Sequence, residues 1–331
     1  MSMHPVILSS RVRLARNYED LPFDVAEKPD CATMCIARTV NALKLSGADD
    51  GFELLHLNEM RDTQRDVLAE SHLISRDLLR SPDTAAVLLK ANENLSVMMN
   101  EEDHLRIQAI VPGDDLQTAA ERCFRTEDAL SRQVTFAFDA QLGYLTACPT
   151  NTGTGMRASL LMHLPMLTLC KQMGNVGQIV AKVGLTIRGV YGEGAEALGN
   201  LYQVSNQVTL GRTEQELISA VTAVGHQLTD MELALREKAM ATRALAAEDR
   251  VWRAWGILCN ARMMNLNEFF KQWSALRLGA AMKLLPTTTD VADEMLEQVQ
   301  DAHLRAYAEA PLESAELAQT RASRIRAMLG A

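Results

Sequence analysis

The stretch Ser96-Val97-Met98-Met99-Asn100-Glu101-Glu102-Asp103-His104-Leu105-Arg106-Ile107-Gln108-Ala109-Ile110 decides the fold class. Two strand-like runs, Ser96 to Met99 and Leu105 to Ile110, flank the polar segment Asn100 to Asp103. That pattern reads as antiparallel strands joined at a hairpin tip. Similar short runs recur at Val134 to Phe138, Leu185 to Val190 and Tyr202 to Leu210, with helical stretches between them. From Thr213 onward the chain reads as helix throughout. Thr213-Glu214-Gln215-Glu216 has the form of a capping box, after which Leu217, Ile218, Val221, Val224, Leu228 and Met231 recur near helical period. Asp249 to Met264 and Ser314 to Leu329 read as further helices. The expected class is α+β, an antiparallel sheet flanked by helices followed by a smaller all-α domain. The break is expected between about residues 232 and 250, inside or beside a long helix.

The bulk numbers narrow the possibilities. At 331 residues, 47% hydrophobic and 23% charged, the chain has the balance of a soluble globular protein with room for one large and one smaller domain. No apolar run approaches the ~18 residues of a membrane span. Met1 to Pro5 lacks the basic start and long apolar stretch of a signal peptide, so a cytoplasmic location and no membrane partner are expected. A formal net charge of −9 argues against a dedicated nucleic-acid binder. Of the six cysteines only Cys31 and Cys35 are close, and no second pair follows, so no metal site is expected.

The residues with chemistry are arginines in unusual contexts. Arg11 and Arg13 lie in Ser9-Ser10-Arg11-Val12-Arg13, Arg106 follows the acidic cluster, Arg157 closes Thr152-Gly153-Thr154-Gly155-Met156-Arg157, and Arg188 opens Arg188-Gly189-Val190-Tyr191-Gly192-Glu193. Each taken singly also suits a surface ion pair. Together they offer rigid donor forks that match phosphate oxygens. A strand alternates its side chains, so Arg11 and Arg13 point the same way, as would Glu102, His104 and Arg106 if the strand reaches that far. The Gly153–Gly155 stretch is neither a Walker A loop nor a dinucleotide fingerprint. It reads as a tight turn into a helix starting near Met156, with free N–H groups available to an anion. Glu102 and Glu193 suit a reaction at a guanidinium, which needs a carboxylate to orient it and a base to take a proton. Both also suit solvated turns. Cys148 reads either as a small buried hydrophobe or as a thiolate facing a cation.

Four segments in this order resemble the ATP:guanidino phosphotransferases, the family of the arginine and creatine kinases. They are Ser9 to Arg13, Asn100 to Arg106, Cys148-Pro149-Thr150-Asn151 with Arg157-Ala158-Ser159, and Arg188 to Glu193. Glu70-Ser71-His72-Leu73-Ile74-Ser75, Gly194 to Asn200, Ser205 to Gly211 and Glu248 to Arg253 are similar to segments of the bacterial protein arginine kinases. The resemblance implies a catalytic domain over residues 1–235 and a helical domain for substrate docking and dimerisation over 236–331. It implies ATP held by Ser9, Ser10, Arg11, Val12, Arg13, His72, Arg106, Arg157, Ala158, Ser159, Leu160, Leu161 and Arg188 to Glu193, with Mg2+ carried on the phosphates. Glu102 and Glu193 would act on the acceptor guanidinium, with Cys148 against its nitrogens. Implied partners are protein substrates presenting arginine, a heat-shock repressor among them, a zinc-binding activator, the Clp protease system and a second copy of the chain. That is a role in stress response and protein quality control.

Small-molecule members carry a helical domain ahead of the first motif, whereas here eight residues precede Ser9. This favours an arginine side chain on a protein as acceptor. A kinase of free arginine or another small guanidino compound is the alternative, and an inactive phosphoarginine-binding adaptor a further one. One departure stands out. Relatives carry Arg-Asp-x-x-Arg-Ala near the C-terminus, where this chain has Leu317-Ala318-Gln319-Thr320-Arg321-Ala322, so phosphoarginine feedback is expected to be weak or lost.

Overall fold

The structure, a computed structural model, describes residues 4–23, 28–190 and 197–331. Strand β1 (Ile7–Arg16) comes first, then α1 (Pro29–Leu45), β2 (Glu53–His56), α2 (Asp62–Glu70), β3 (Ala86–Lys90), β4 (Leu95–Met99) and β5 (Leu105–Pro112). Helix α3 (Leu116–Ser131) and the short ladder of β6 (Phe138–Asp139) and β7 (Gly143–Tyr144) lead to β8 (Met156–His163). There follow α4 (Pro165–Leu169), α5 (Met173–Lys182), β9 (Leu185–Gly189) and β10 (Leu201–Asn206). The rest is helical: α6 (Glu214–Asn260), α7 (Leu266–Ala281), α8 (Thr289–Gln298), α9 (Asp301–Ala308) and α10 (Ser314–Leu329).

Among the described residues the main sheet has eight strands in the order β2-β3-β4-β5-β1-β8-β10-β9, and every neighbouring pair is antiparallel. The hairpin expected around Asn100 to Asp103 joins β4 to β5, and the Asn100 N–H closes it onto His104 O at 2.9 Å. The first strand, β1, lies inside the sheet, between β5 and β8. The capping box is formed as expected: Thr213 Oγ1 accepts from Glu216 N at 3.2 Å, and Glu216 Oε2 accepts from Thr213 N at 2.9 Å.

Several local expectations are corrected. Val134 to Phe138 is not a full strand; it touches Tyr18 through one bridge at Phe136 and enters β6 only at its end. The strand expected to run to Leu210 stops at Asn206, whose side chain turns back to bond Ala158 N and Met156 O. The helix expected at Asp249 to Met264 is the second half of α6, which breaks its helical backbone only at Arg243 (φ −148°, ψ 41°).

One face of the sheet is apolar. Val12, Leu14, Ile107, Ala109, Ala158, Leu160 and Val204 are fully buried there, against α1, α3 and the first half of α6. Each such side chain contributes roughly 1.5–3 kcal/mol on leaving water. Gly225 lets α6 lie tight on β8, since a Cβ there would collide with Leu160. The opposite face is covered in two patches. Over β3 and β4, Val87 and Met98 pack under Leu57, Ala69, Ile74 and Leu78. Toward one end of β8 and β10, Leu161 and Leu201 pack against Phe269, Phe270 and Trp273 of α7. Trp273 is fully buried and donates to Ala292 O at 2.6 Å. Between the two patches no helix of the described residues covers the face. No described helix is long and apolar enough to cross a membrane.

Candidate active site

Residues directly opposed in an antiparallel pair project from the same face. Arg13 opposes Arg157 across β1 and β8, and Ala15 opposes Arg106 across β1 and β5. Ser159 is opposed by Arg11 on one side and by Ser205 on the other, and Gln203 by Arg188. Alternation along each strand then puts Arg11, Arg13, Arg106, Arg157 and Arg188 on one face, the one left without a helix between its two patches.

These guanidiniums are close enough to disturb one another. Burial, and then the charges of Arg11, Arg106 and Arg157, push the Arg13 guanidinium well below its ordinary value. Arg13 sits deep in the cleft yet keeps part of its surface exposed. Arg157 is lowered by burial and by Arg188 and Arg106. Neutral groups orient the forks: Arg11 Nη2 donates to Gln203 Oε1 at 3.0 Å, and Arg157 Nη2 to Ser205 Oγ at 3.1 Å. The Nε of Arg157 is buried with no hydrogen-bond partner among the described residues. Crowded cations with an orphaned donor on an uncovered face make a place for a polyanion.

The hairpin tip adds carboxylates. Glu101 is buried and accepts from Arg106 Nη1 at 2.7 Å, with burial raising its carboxyl. Glu102, with 46% of its side chain exposed, lies 3.9 Å from Arg106 Nη2. Asp103 ties this tip to the next loop, because its Oδ1 accepts from Asn17 Nδ2 and from Ala147 N, both at 2.7 Å. Asn17 donates on to Leu145 O at 3.1 Å and accepts from His104 N at 2.8 Å. Cys148, beside Ala147, is therefore one hydrogen bond from the neighbour of Glu102. Its Sγ is 3.0 Å from Thr150 Oγ1. Thr209 Oγ1 bonds Thr150 O at 3.0 Å and Thr152 O at 2.7 Å and so steadies that loop.

His72 lies at the far end of the strip. It has a left-handed backbone (φ 59°), and its carbonyl accepts from Gln108 Nε2 at 2.7 Å. Burial, helped by Arg11, lowers its imidazole to about 4, so it is neutral at pH 7.

Other expected site residues are placed differently. Ser10, Val12, Ala158 and Leu160 point to the apolar face, since they are out of phase with the arginines; Ser10 Oγ donates to Gly113 O at 2.8 Å. Ser9, Ser159 and Leu161 are on the arginine face. His104 does not share a face with Glu102 and Arg106: β5 begins at Leu105, and the His104 ring is buried against Tyr18 N and Pro22 O, each at 2.8 Å. The Gly153–Gly155 turn leads into strand β8, not a helix. Its N–H groups are not free, because Gly153 N bonds Tyr144 O, Thr154 N bonds Thr209 O and Met156 N bonds Thr154 Oγ1, all at 3.2 Å. Both glycines have positive φ, and a Cβ at either would strike Thr209 O or Ala15 O. Tyr191, Gly192 and Glu193 lie outside the described residues. The roles of Asn17, Asp103, Gln203, Ser205 and Thr209 were not foreseen, although Asp103, Ser205 and Thr209 lie within quoted motif segments. No local pattern marks them, since Asp103 meets its partner 86 positions away in sequence and Gln203 meets its own 192 away.

Comparison with known proteins agrees with this geometry. Residues 34–235 match the family described as ATP:guanido phosphotransferase, C-terminal catalytic domain, and residues 244–331 match the protein-arginine kinase McsB C-terminal domain. A protein-arginine kinase of Symbiobacterium thermophilum is 42% identical over 330 residues, which cover 98% of this chain and 94% of that one. One of Moorella thermoacetica is 41% identical over 328 residues, covering 98% and 94%. Among solved structures, a lombricine kinase superposes with a TM-score of 0.62 at 24% identity, over 72% of this chain and 69% of that one. A duplicated taurocyamine kinase from Schistosoma mansoni with bound transition-state-analogue components gives 0.64 at 26%, over 75% of this chain and 37% of that one. An arginine-lined sheet face of this register, on a chain alike nearly end to end, leaves one conclusion: the chain belongs to the ATP:guanido phosphotransferase family and, within it, to the protein-arginine kinases.

Proposed function

We propose that this chain transfers the γ-phosphoryl group of ATP to a guanidinium nitrogen of arginine side chains in proteins. The observation that carries the reading is the convergence of five guanidiniums from four strands on one face, with Glu102 beside Arg106. In the step, a P–N bond forms as the bond from the γ-phosphorus to the bridging oxygen of ADP breaks. One proton leaves the attacking nitrogen for a carboxylate. The forks of Arg11, Arg13, Arg106, Arg157 and Arg188 hold the phosphates and take up charge as it spreads over the transferring group. Glu102 holds the planar guanidinium in line and accepts the proton, Glu193 is its partner, and Cys148 faces the acceptor nitrogens. Magnesium, carried in with the ATP phosphates, would supply neutralising charge there.

The domain division goes with this reading: residues 1–235 catalyse, and 236–331 dock substrate and pair two copies. Leu245, Trp252 and Ile257 on α6 are exposed and suit such a seam. A zinc-binding activator and a Clp-type protease fit as partners of an enzyme that marks proteins. Incubation with Mg-ATP and an arginine-rich protein, followed by mass spectrometry for acid-labile phosphoarginine, tests the proposal. The wild-type chain should label the protein and leave free arginine nearly untouched. Glu102→Gln should label it about 10²–10⁴ times more slowly while ATP still binds. Preferential labelling of free arginine would move the assignment to a small-molecule kinase.

A further inference from the structure

At the Ser9 end of the arginine row the structure has a cavity of about 390 Å³. One wall is the sheet and its neighbour, through Ser9, Ile110, Leu161 and His72. The facing wall is α8 of the C-terminal helices, through Asp290, Glu294 and Glu297. With the γ-phosphate toward Glu102, as in the proposed function, the nucleoside end of a triphosphate held by Arg11 and Arg13 would point to this space, which the sheet closes only on one side.

The helices behind that second wall are bonded to the segment that carries His72. Glu70, the last residue of α2, accepts from Ala302 N at 3.0 Å and from His303 N at 3.1 Å at the start of α9. His303 Nδ1 is 2.9 Å from the Glu70 carboxylate, and its Nε2 is 3.4 Å from that of Glu297 and 3.2 Å from Ser71 Oγ. Ser71 Oγ also donates to Glu297. So the two residues before His72 are held by α8 and α9, while Gln108 holds its carbonyl from below. A left-handed histidine is unfavourable on its own and persists only where its surroundings impose it. Burial lowers the His303 imidazole, but the hydrogen bonds and charges of Glu297 and Glu70 outweigh this and raise it to about 9. It is an imidazolium between two carboxylates at neutral pH.

We propose that α8, braced by α9, forms the second wall of the nucleotide site and that His303 is a positioning residue for ATP. By bridging Glu70 and Glu297 it fixes the Glu70-Ser71-His72 turn against the cavity. The inference rests on the reading of the arginine row as the phosphate site. Its consequence is specific: the C-terminal helices act on nucleotide binding in the ground state and leave the reacting atoms alone, which appears in KM and not in kcat.

The test uses the full-length chain and its His303→Ala and Ser71→Ala variants. ATP affinity is measured by calorimetry without acceptor, and KM and kcat with an arginine-rich protein. His303→Ala should weaken ATP binding and raise KM for ATP about tenfold, with kcat within about twofold and KM for the protein unchanged. Ser71→Ala, the milder change, should shift the same two constants about threefold, and it decides the matter if His303→Ala fails to fold. Unchanged ATP affinity in a folded variant, or a fall in kcat at constant KM for ATP, overturns the proposal. A wild-type chain that binds no ATP would instead overturn the reading of the arginine row.

Discussion

Two populations of arginine stand apart in this molecule. At the helical contacts four buried arginines meet a carboxylate: Arg16 with Glu127 and Arg277 with Asp293 at 2.5 Å, Arg236 with Glu232 at 2.9 Å, and Arg321 with Asp301. They also cap carbonyls, as Arg236 and Arg277 both do at Pro5 O. On the uncovered sheet face, Arg13 and Arg157 have other arginines as their principal charged neighbours. Burial is comparable in places, so depth does not separate the two groups. What separates Arg13 and Arg157 from the first group is that the protein supplies them no close counter-charge; Arg106, on the same face, is the exception, since Glu101 pairs with it. Where the protein supplies the counter-charge at a helical contact, the arginine holds the fold together. Where it does not, the arginine is set for a charge brought from outside.

Substitution should divide the two groups cleanly. The largest effect is expected at Arg157→Ala, where phosphoarginine formation should fall by roughly 10³-fold or more. Its melting temperature should hold or rise, because the like charges of Arg106 and Arg188 lose a neighbour. A large drop in melting temperature with turnover preserved would move Arg157 to the structural group. Next comes Arg277→Ala, which leaves Asp293 buried without its partner and should cost roughly 3–5 kcal/mol in a denaturant titration. The fraction that stays folded should still turn over near the wild-type rate, and loss of turnover without loss of stability would break the comparison.

The smallest effect is expected in the pH dependence of the His303 bridge, which behaves like the paired arginines. Glu70 of α2 and Glu297 of α8 face it, with His72 and Arg321 nearby. Its pKa is raised in the folded state from 6.5 to about 9. Its contribution to stability is therefore complete below about 6.5 and is lost as pH climbs through about 9. The melting-temperature gap between wild type and His303→Gln should be a few degrees at pH 6 and close by pH 10. A gap that is constant across that range would show that His303 contributes by packing alone.

Much of this arrangement was legible from local pattern. The Thr213 capping box, the hairpin at Asn100 to Asp103 and the helix from Ser314 to Leu329 depend on residues within a few positions of one another, and such interactions are written directly in the order of the chain. The arginine motifs were legible too, as was the phase of Arg11 against Arg13. The turn at Gly153 and Gly155 was not. Its glycines were read as a cradle for an anion, yet they are demanded by main-chain contacts with Thr209 and Ala15, far away along the chain.

The sequence alone determined the phase of Arg11 against Arg13 and the helical C-terminal third, which follow from local spacing, and its motifs carried the resemblance to the family. Only the tertiary structure decided which arginines stay without an internal acid, which neutral groups aim them, and that α8 and α9 reach back to the turn before His72. Those facts depend on β1 lying between β5 and β8 and on helices folded back over the sheet. A counter-charge acts through space, over a few ångströms, whatever the distance between the two residues along the chain.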